Sequence, residues 1–125
     1  MKILFVITGS IAAKKCNEIF KKLTLAEIQI DCIITDNAKK MINLKALQKN
    51  LKVKFYTNSS EKKNKMLHIK LTRKADLVVV CPATANIIAK LANGYADDLA
   101  STSLIASNKQ IIVIPAMNKE MWNNS

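Results

Sequence analysis

Four stretches of the chain are dominated by apolar, β-branched residues: Lys2–Thr8, Ile28–Thr35, Asp76–Cys81 and Ile111–Ile114. Runs of this kind predict strands buried on both faces of a parallel sheet. Val53–Thr57 predicts a shorter strand. Between them the apolar positions fall at helical spacing. In Ile11–Leu23, the residues Ile11, Ala12, Cys16, Ile19, Phe20 and Leu23 form one stripe. Further helices are predicted over Ala38–Leu47 with Asp36 as N-cap, over Leu67–Lys74 carrying His68, and over Thr84–Ala92 after a Pro-Ala turn. Asn93-Gly94 is expected to close the last of these with a left-handed cap. Asp97-Asp98 is expected to open a helix through Ser107, the acids sitting at its positive end. Asn58–Lys65 is polar and charged and is expected to be a mobile loop.

Strands alternating with helices predict an α/β fold: a single three-layer, Rossmann-like or flavodoxin-like domain with a mostly parallel sheet. No internal repeat or second domain is visible over residues 1–125. After Trp122 a sheet of this kind normally acquires a further helix and strand, so the 125 residues are expected to be the N-terminal portion of a longer protein.

In such a sheet, ligands bind in the crevice beyond the carboxyl ends of the strands. Two predicted strands deliver Pro-Ala and then an Asn to that edge, in Pro82-Ala83-Thr84-Ala85-Asn86 and in Pro115-Ala116-Met117-Asn118. A third junction, Gly9-Ser10, stands where free N–H groups at a helix start can meet an anion. It is neither GxGxxG nor followed by GKS, and a Gly-Ser turn taken alone is more often just a turn. Thr84 reads both as a helix N-cap and as a ligand contact. His68 is the only histidine. Its type suits proton transfer near neutral pH, although a lone His is more often structural. Met117, Met121 and Trp122 read as core or subunit-interface residues.

Charge narrows the function classes once it is mapped. The formal net charge is +11, but residues 39–74 hold twelve of the twenty Lys and Arg and one acid, Glu61. The excess is thus one local surface, almost wholly Lys. Arg, which reads phosphate bidentately, occurs once, as Arg73. A solvated surface is the leading reading, steering of an anionic substrate by Lys62, Lys63 and Lys65 the next, and nucleic-acid binding the last. Cys16, Cys32 and Cys81 lie at unrelated spacings, which argues against a disulfide framework or zinc site and for buried apolar roles, with Cys81 the exception to watch. No signal-peptide pattern and no run of the ~18 apolar residues of a membrane span is seen. The protein is expected to be cytoplasmic, without membrane partners.

The ordered set Gly9-Ser10-Ile11-Ala12-Ala13, His68-Ile69, Pro82-Ala83-Thr84-Ala85-Asn86, Gly94-Tyr95-Ala96-Asp97-Asp98-Leu99 and Pro115-Ala116-Met117-Asn118-x-x-Met121-Trp122 resembles the homo-oligomeric flavin-containing cysteine decarboxylases. The resemblance covers the whole chain. It implies FMN at the strand carboxyl ends, buried between subunits of a homotrimer, and a small phosphorylated, cysteine-containing substrate. It places Gly9, Ser10, Thr35, Thr84 and Asn86 on cofactor-contacting positions, with Ile11, Pro82, Ala83, Ala116 and Met117 alongside. His68 falls on the family's active-site His, and Asn118 on the Asn that holds the substrate carboxylate. Two departures stand out. Ile87 replaces a hydroxyl-bearing residue, and the family's substrate clamp with its reactive Cys lies beyond the Asn-x-x-Met-Trp motif. None of Cys16, Cys32 and Cys81 matches that position. Two alternatives stay open beside a decarboxylase of the phosphorylated substrate. One is a non-catalytic flavin-binding or regulatory subunit, the other a peptidyl-cysteine decarboxylase.

Overall fold

The computed structural model describes residues 1–9, 16–42, 45 and 53–115. Ser10, Ile11, Ala116, Met117, Asn118, Met121 and Trp122 lie outside the described residues, as do the start of the helix expected over Ile11–Leu23 and most of the end of that expected over Ala38–Leu47. The element order is β1 (Lys2–Ile7), α1 (Cys16–Leu25), β2 (Gln29–Ile34), α2 (Asp36–Met41), β3 (Val53–Tyr56), α3 (Asn58–Lys63), α4 (Leu67–Lys74), β4 (Leu77–Ala83), α5 (Ala85–Ala92), α6 (Leu99–Ala106) and β5 (Ile111–Pro115).

The five strands form one sheet in the order β3-β2-β1-β4-β5, and every pairing is parallel. The expected α/β fold is therefore present. The chain builds outward from β1 to β3 and then returns to place β4 on the other side of β1. The order reverses there, and the carboxyl end of that boundary is where such sheets hold ligands.

The continuous apolar runs separate into two faces once paired. Ile3, Phe5, Ile7, Ile30, Cys32 and Ile34 pack with Cys16 and Phe20 of α1 and Ala38 of α2. Leu4, Val6, Ile33, Val78 and Val80 pack instead with Leu67 and Leu71 of α4, Ile87 of α5, and Leu99 and Leu104 of α6. The first core holds an aromatic centre. The ring of Phe20 stands edge-on to Phe5, with centroids 5.0 Å apart, and to Phe55 at 6.1 Å. Among the described residues one carboxylate is buried in the sheet: Asp31, 2% exposed, sits 3.4 Å from Nζ of Lys2.

Four expectations need correction. Ile111–Ile114 is a strand at the edge of the sheet, but it is not buried on both faces among the described residues: Ile112, Val113 and Ile114 are exposed. Asn58–Lys63 is a helix rather than a mobile loop. The Thr57 N–H donates to Oγ of Ser60 at 3.1 Å, and the Ser60 N–H donates to the Thr57 carbonyl at 2.9 Å. Glu61 in the first turn and Lys62 and Lys63 in the last complement the helix dipole. Its polarity reflects exposure, not lack of structure. The N-cap of α2 is Thr35, whose Oγ1 accepts from the Ala38 N–H at 3.3 Å, and Asp36 is the first helical residue. Finally, β4 runs through Pro82 to Ala83, so the expected Pro-Ala turn is strand. The closing cap of α5 is as expected: Gly94 has φ +66°, the Gly94 N–H donates to Leu91 and the Tyr95 N–H to Lys90.

Phe20 is fully buried at the aromatic centre. Phe20→Ala is expected to cost about 3–5 kcal/mol, read as a lower denaturant midpoint with an unchanged slope.

Candidate functional site

Where β1 and β4 end, their chains leave toward opposite faces, and the backbone groups between them need partners. Thr8 supplies them. Its N–H donates to the Pro82 carbonyl at 3.3 Å, its hydroxyl donates to the same carbonyl at 2.5 Å, and its Oγ1 accepts from the Thr84 N–H at 2.9 Å. Thr8 is 2% exposed. Its hydroxyl has thus spent its proton and taken a donor, so its role is to tie the two strand ends together.

Around this tie lies a pocket of about 110 Å³. Thr8 and Gly9 line it after β1, Thr35 to Asn37 after β2, and Thr84, Asn86 and Ile87 after β4. Asn58 of α3, Lys90 of α5 and the N-cap Asp98 complete it. Gly9 lies against α2: a Cβ there would come 2.6 Å from Cβ of Asn37, so any side chain pushes that helix away. Thr84 caps α5 by accepting from the Ile87 N–H at 3.4 Å, and α2 and α5 both begin at the pocket. Lys90 is paired with Asp97 at 2.9 Å and Asp98 at 3.6 Å. The hydrogen bond that Lys90 donates to Asp97 holds Lys90 above its ordinary value and Asp97 below its own. Asp98 caps α6 together with Ser101, and Oδ1 of Asn58 accepts the Leu99 N–H at 3.0 Å.

Of the residues the sequence nominates, the fold brings Gly9, Thr35, Thr84 and Asn86 to one pocket. Pro82 and Ala83 are buried in β4 directly beneath it and contribute the Pro82 carbonyl that Thr8 holds. His68 is not among the residues lining this pocket. It sits in the first turn of α4, with Nδ1 3.2 Å from Oε1 of Glu61. Sequence reading missed Thr8, Asn58 and Lys90. Thr8 carried a usable signal, a hydroxyl ending an apolar strand just before a glycine. Asn58 lay inside the segment read as a loop.

Two roomier depressions among the described residues carry less chemistry. One, of about 420 Å³, lies at the opposite, amino-terminal edge beside Lys2, Asp31 and Lys54. The other, of about 510 Å³, lies beside Tyr56, Thr57 and Lys63. The small pocket is the stronger site, because groups from three strand ends converge on it at the point where the strand order reverses. Cys16 and Cys32 are buried, as expected, and Cys81 is half-exposed beside the site. A hydrogen bond from the Cys16 thiol pulls Cys81 down to about 7, while that bond and burial push Cys16 far up.

A parallel sheet with a polar crevice at its switch point defines an α/β protein of the Rossmann-like or flavodoxin-like class. Residues 1–125 match the Flavoprotein family throughout, and the chain belongs to that family. The coenzyme A biosynthesis bifunctional protein CoaBC of Bacillus subtilis is 35% identical over 124 residues, covering 98% of this chain and 30% of that protein. The chain therefore spans under a third of that relative. Among solved structures, a PPC decarboxylase variant complexed with pantothenoylaminoethenethiol overlays with TM-score 0.87 at 32% identity, covering 98% of this chain and 70% of the other. The FMN binding protein AtHal3 overlays with TM-score 0.85 at 31% identity, with 98% and 69% covered.

Thr8→Val keeps the shape and the backbone bond to Pro82 but removes the two hydroxyl bonds, leaving the Thr84 N–H without its partner. It is expected to cost about 1–3 kcal/mol, measured by thermal unfolding, whereas Thr8→Ser should restore most of the loss.

Proposed function

We propose that the chain is an FMN-dependent decarboxylase of 4′-phosphopantothenoylcysteine, yielding 4′-phosphopantetheine in coenzyme A biosynthesis. The observation that carries this reading is the convergence of Gly9, Thr35, Thr84 and Asn86 on one pocket at the β1–β4 boundary. These are four of the positions that the family resemblance assigns to the cofactor. The identity to CoaBC and the overlay on PPC decarboxylase favour the substrate over a peptide.

The donor set fits a flavin nucleotide. Thr35 and Thr84 each accept a backbone N–H at a helix start, which leaves each hydroxyl proton free to donate outward. Asn86, exposed at the same edge, offers both a donor and an acceptor. Such groups suit the hydroxyls and phosphate of a ribityl phosphate chain. The pocket is smaller than a whole mononucleotide, and Ser10, Ile11, Ala116 and Met117 are the further contacts proposed for it.

When bound, the flavin would supply a two-electron acceptor for oxidation of the substrate's cysteine side chain and, once CO₂ has left, would return the two electrons, which with protons give the saturated thiol of 4′-phosphopantetheine. The chain's own residues do the rest. Asn118 would hold the substrate carboxylate, and His68 would take up the proton released at the cysteine. With a C=S beside the carboxyl-bearing carbon, loss of CO₂ leaves a carbanion that the sulfur delocalises. Because His68 stands outside its own chain's pocket, a homotrimer in which one copy completes its neighbour's site fits this arrangement. Residues after this segment would supply the substrate clamp. A flavin-binding subunit without turnover is the alternative, favoured if FMN binds and no CO₂ appears.

The purified protein is expected to be yellow and to release FMN on denaturation, read from its visible spectrum. A colourless chain that takes up no added FMN would remove the reading. His68→Asn is expected to keep FMN but lose CO₂ release by about 10²–10⁴-fold, because an amide cannot take up the proton. Equal release by variant and parent would refute the role of His68.

A further inference from the structure

The two ring nitrogens of His68 have different surroundings. Nδ1 is closed off from solvent and lies 3.2 Å from Oε1 of Glu61. The separation is that of a hydrogen bond, yet in this geometry the atom has no aligned partner. Leaving a buried polar group unpaired costs about 1–3 kcal/mol. A small turn of either side chain, 20% and 27% exposed, lets the carboxylate satisfy it.

Glu61 is held where this requires. It lies one turn along α3 from Asn58, which lines the pocket and caps the first N–H of α6. The start of α3 is fixed by the Thr57–Ser60 hydrogen bonds, and its end by the Asn64 N–H on the carbonyls of Ser60 and Glu61. His68 is fixed from the other side, its neighbour Leu67 and Leu71 being buried in the core. Glu61 is also the one acid among residues 39–74, beside twelve bases. A carboxylate against the single histidine is therefore not a by-product of an acidic surface.

We infer that Glu61 is the positioning residue of His68. Its carboxylate accepts the Nδ1 proton and fixes the neutral imidazole in the Nδ1–H form, leaving the lone pair of Nε2 as the proton acceptor. A carboxylate on one nitrogen sets the tautomer and orientation of the ring in just this way in hydrolytic triads. The assignment rests on the reading of His68 as the proton acceptor, and it adds which nitrogen acts and what holds it.

Because the chain has one histidine, its tautomer can be read directly. The tag-free chain, labelled with ¹⁵N-histidine, is examined by long-range ¹H–¹⁵N correlation across a pH series, and the tautomer is read from the limiting spectrum of the neutral ring. The wild type is expected to show a protonated Nδ1 and a bare Nε2. Glu61→Ala should lose that preference and shift toward Nε2–H, while Glu61→Gln, whose amide oxygen still accepts, should keep it. For CO₂ release, kcat of Glu61→Ala should fall about tenfold with KM nearly unchanged, and Glu61→Gln should recover most of the loss. A wild-type ring protonated on Nε2 overturns the inference whether or not the variants fold, and so does an unchanged tautomer in Glu61→Ala. The expected tautomer in a wild type that releases no CO₂ supports the pairing and counts against the decarboxylase reading instead.

Discussion

One residue, Thr8, holds the edge of the sheet on which the site is built. A parallel sheet whose order reverses must separate neighbouring strands at their carboxyl ends, because the chain leaves them for opposite faces. The gap that makes room for a ligand also strips backbone groups of their ladder partners, and a buried unpaired N–H or C=O is costly. Thr8 answers both needs from within β1's own end: the Pro82 carbonyl receives two donors and the Thr84 N–H finds an acceptor. Thr84 is thereby fixed in place and can cap α5. The positions of Gly9, Thr84 and Asn86 relative to one another follow from that tie.

A second layer of constraint comes from helix ends. Thr35, Thr84 and Asp98 begin three helices around one pocket, and the side chain of Asn58 reaches across to the third. Each cap satisfies a backbone N–H that would otherwise face solvent or the interior. The same polar residues that make the rim also terminate the helices, so rim geometry and helix stability are set by the same bonds.

Much of this is legible in the sequence. The strands stand out as apolar runs, and their alternation with helices implies the parallel sheet. The pairing of Gly9 with Thr84 and Asn86 follows from their all standing just after strands. What escapes is polar structure without apolar periodicity. The helix at Asn58–Lys63 has no buried residue, so nothing in its pattern could mark it, and its start is held by the local bonds of Thr57 and Ser60 and by the bond of Asn58 to Leu99. Thr8 reads as a plain strand end because a hydroxyl bonded across 74 residues leaves no local trace. His68 is legible as a residue of interest, but its distance from the pocket is not, since that depends on where α4 packs.

The sheet divides the interior into an aromatic half against α1 and α2 and an aliphatic half against α4, α5 and α6. Side chains of adjacent strand residues belong to different halves, so the two touch chiefly through backbone. Sites without shared contacts behave additively. Each half can therefore accumulate substitutions over evolutionary time without compensating changes in the other. The carboxyl edge, where Thr8, Thr35 and Thr84 border both, is where the two histories must stay in step.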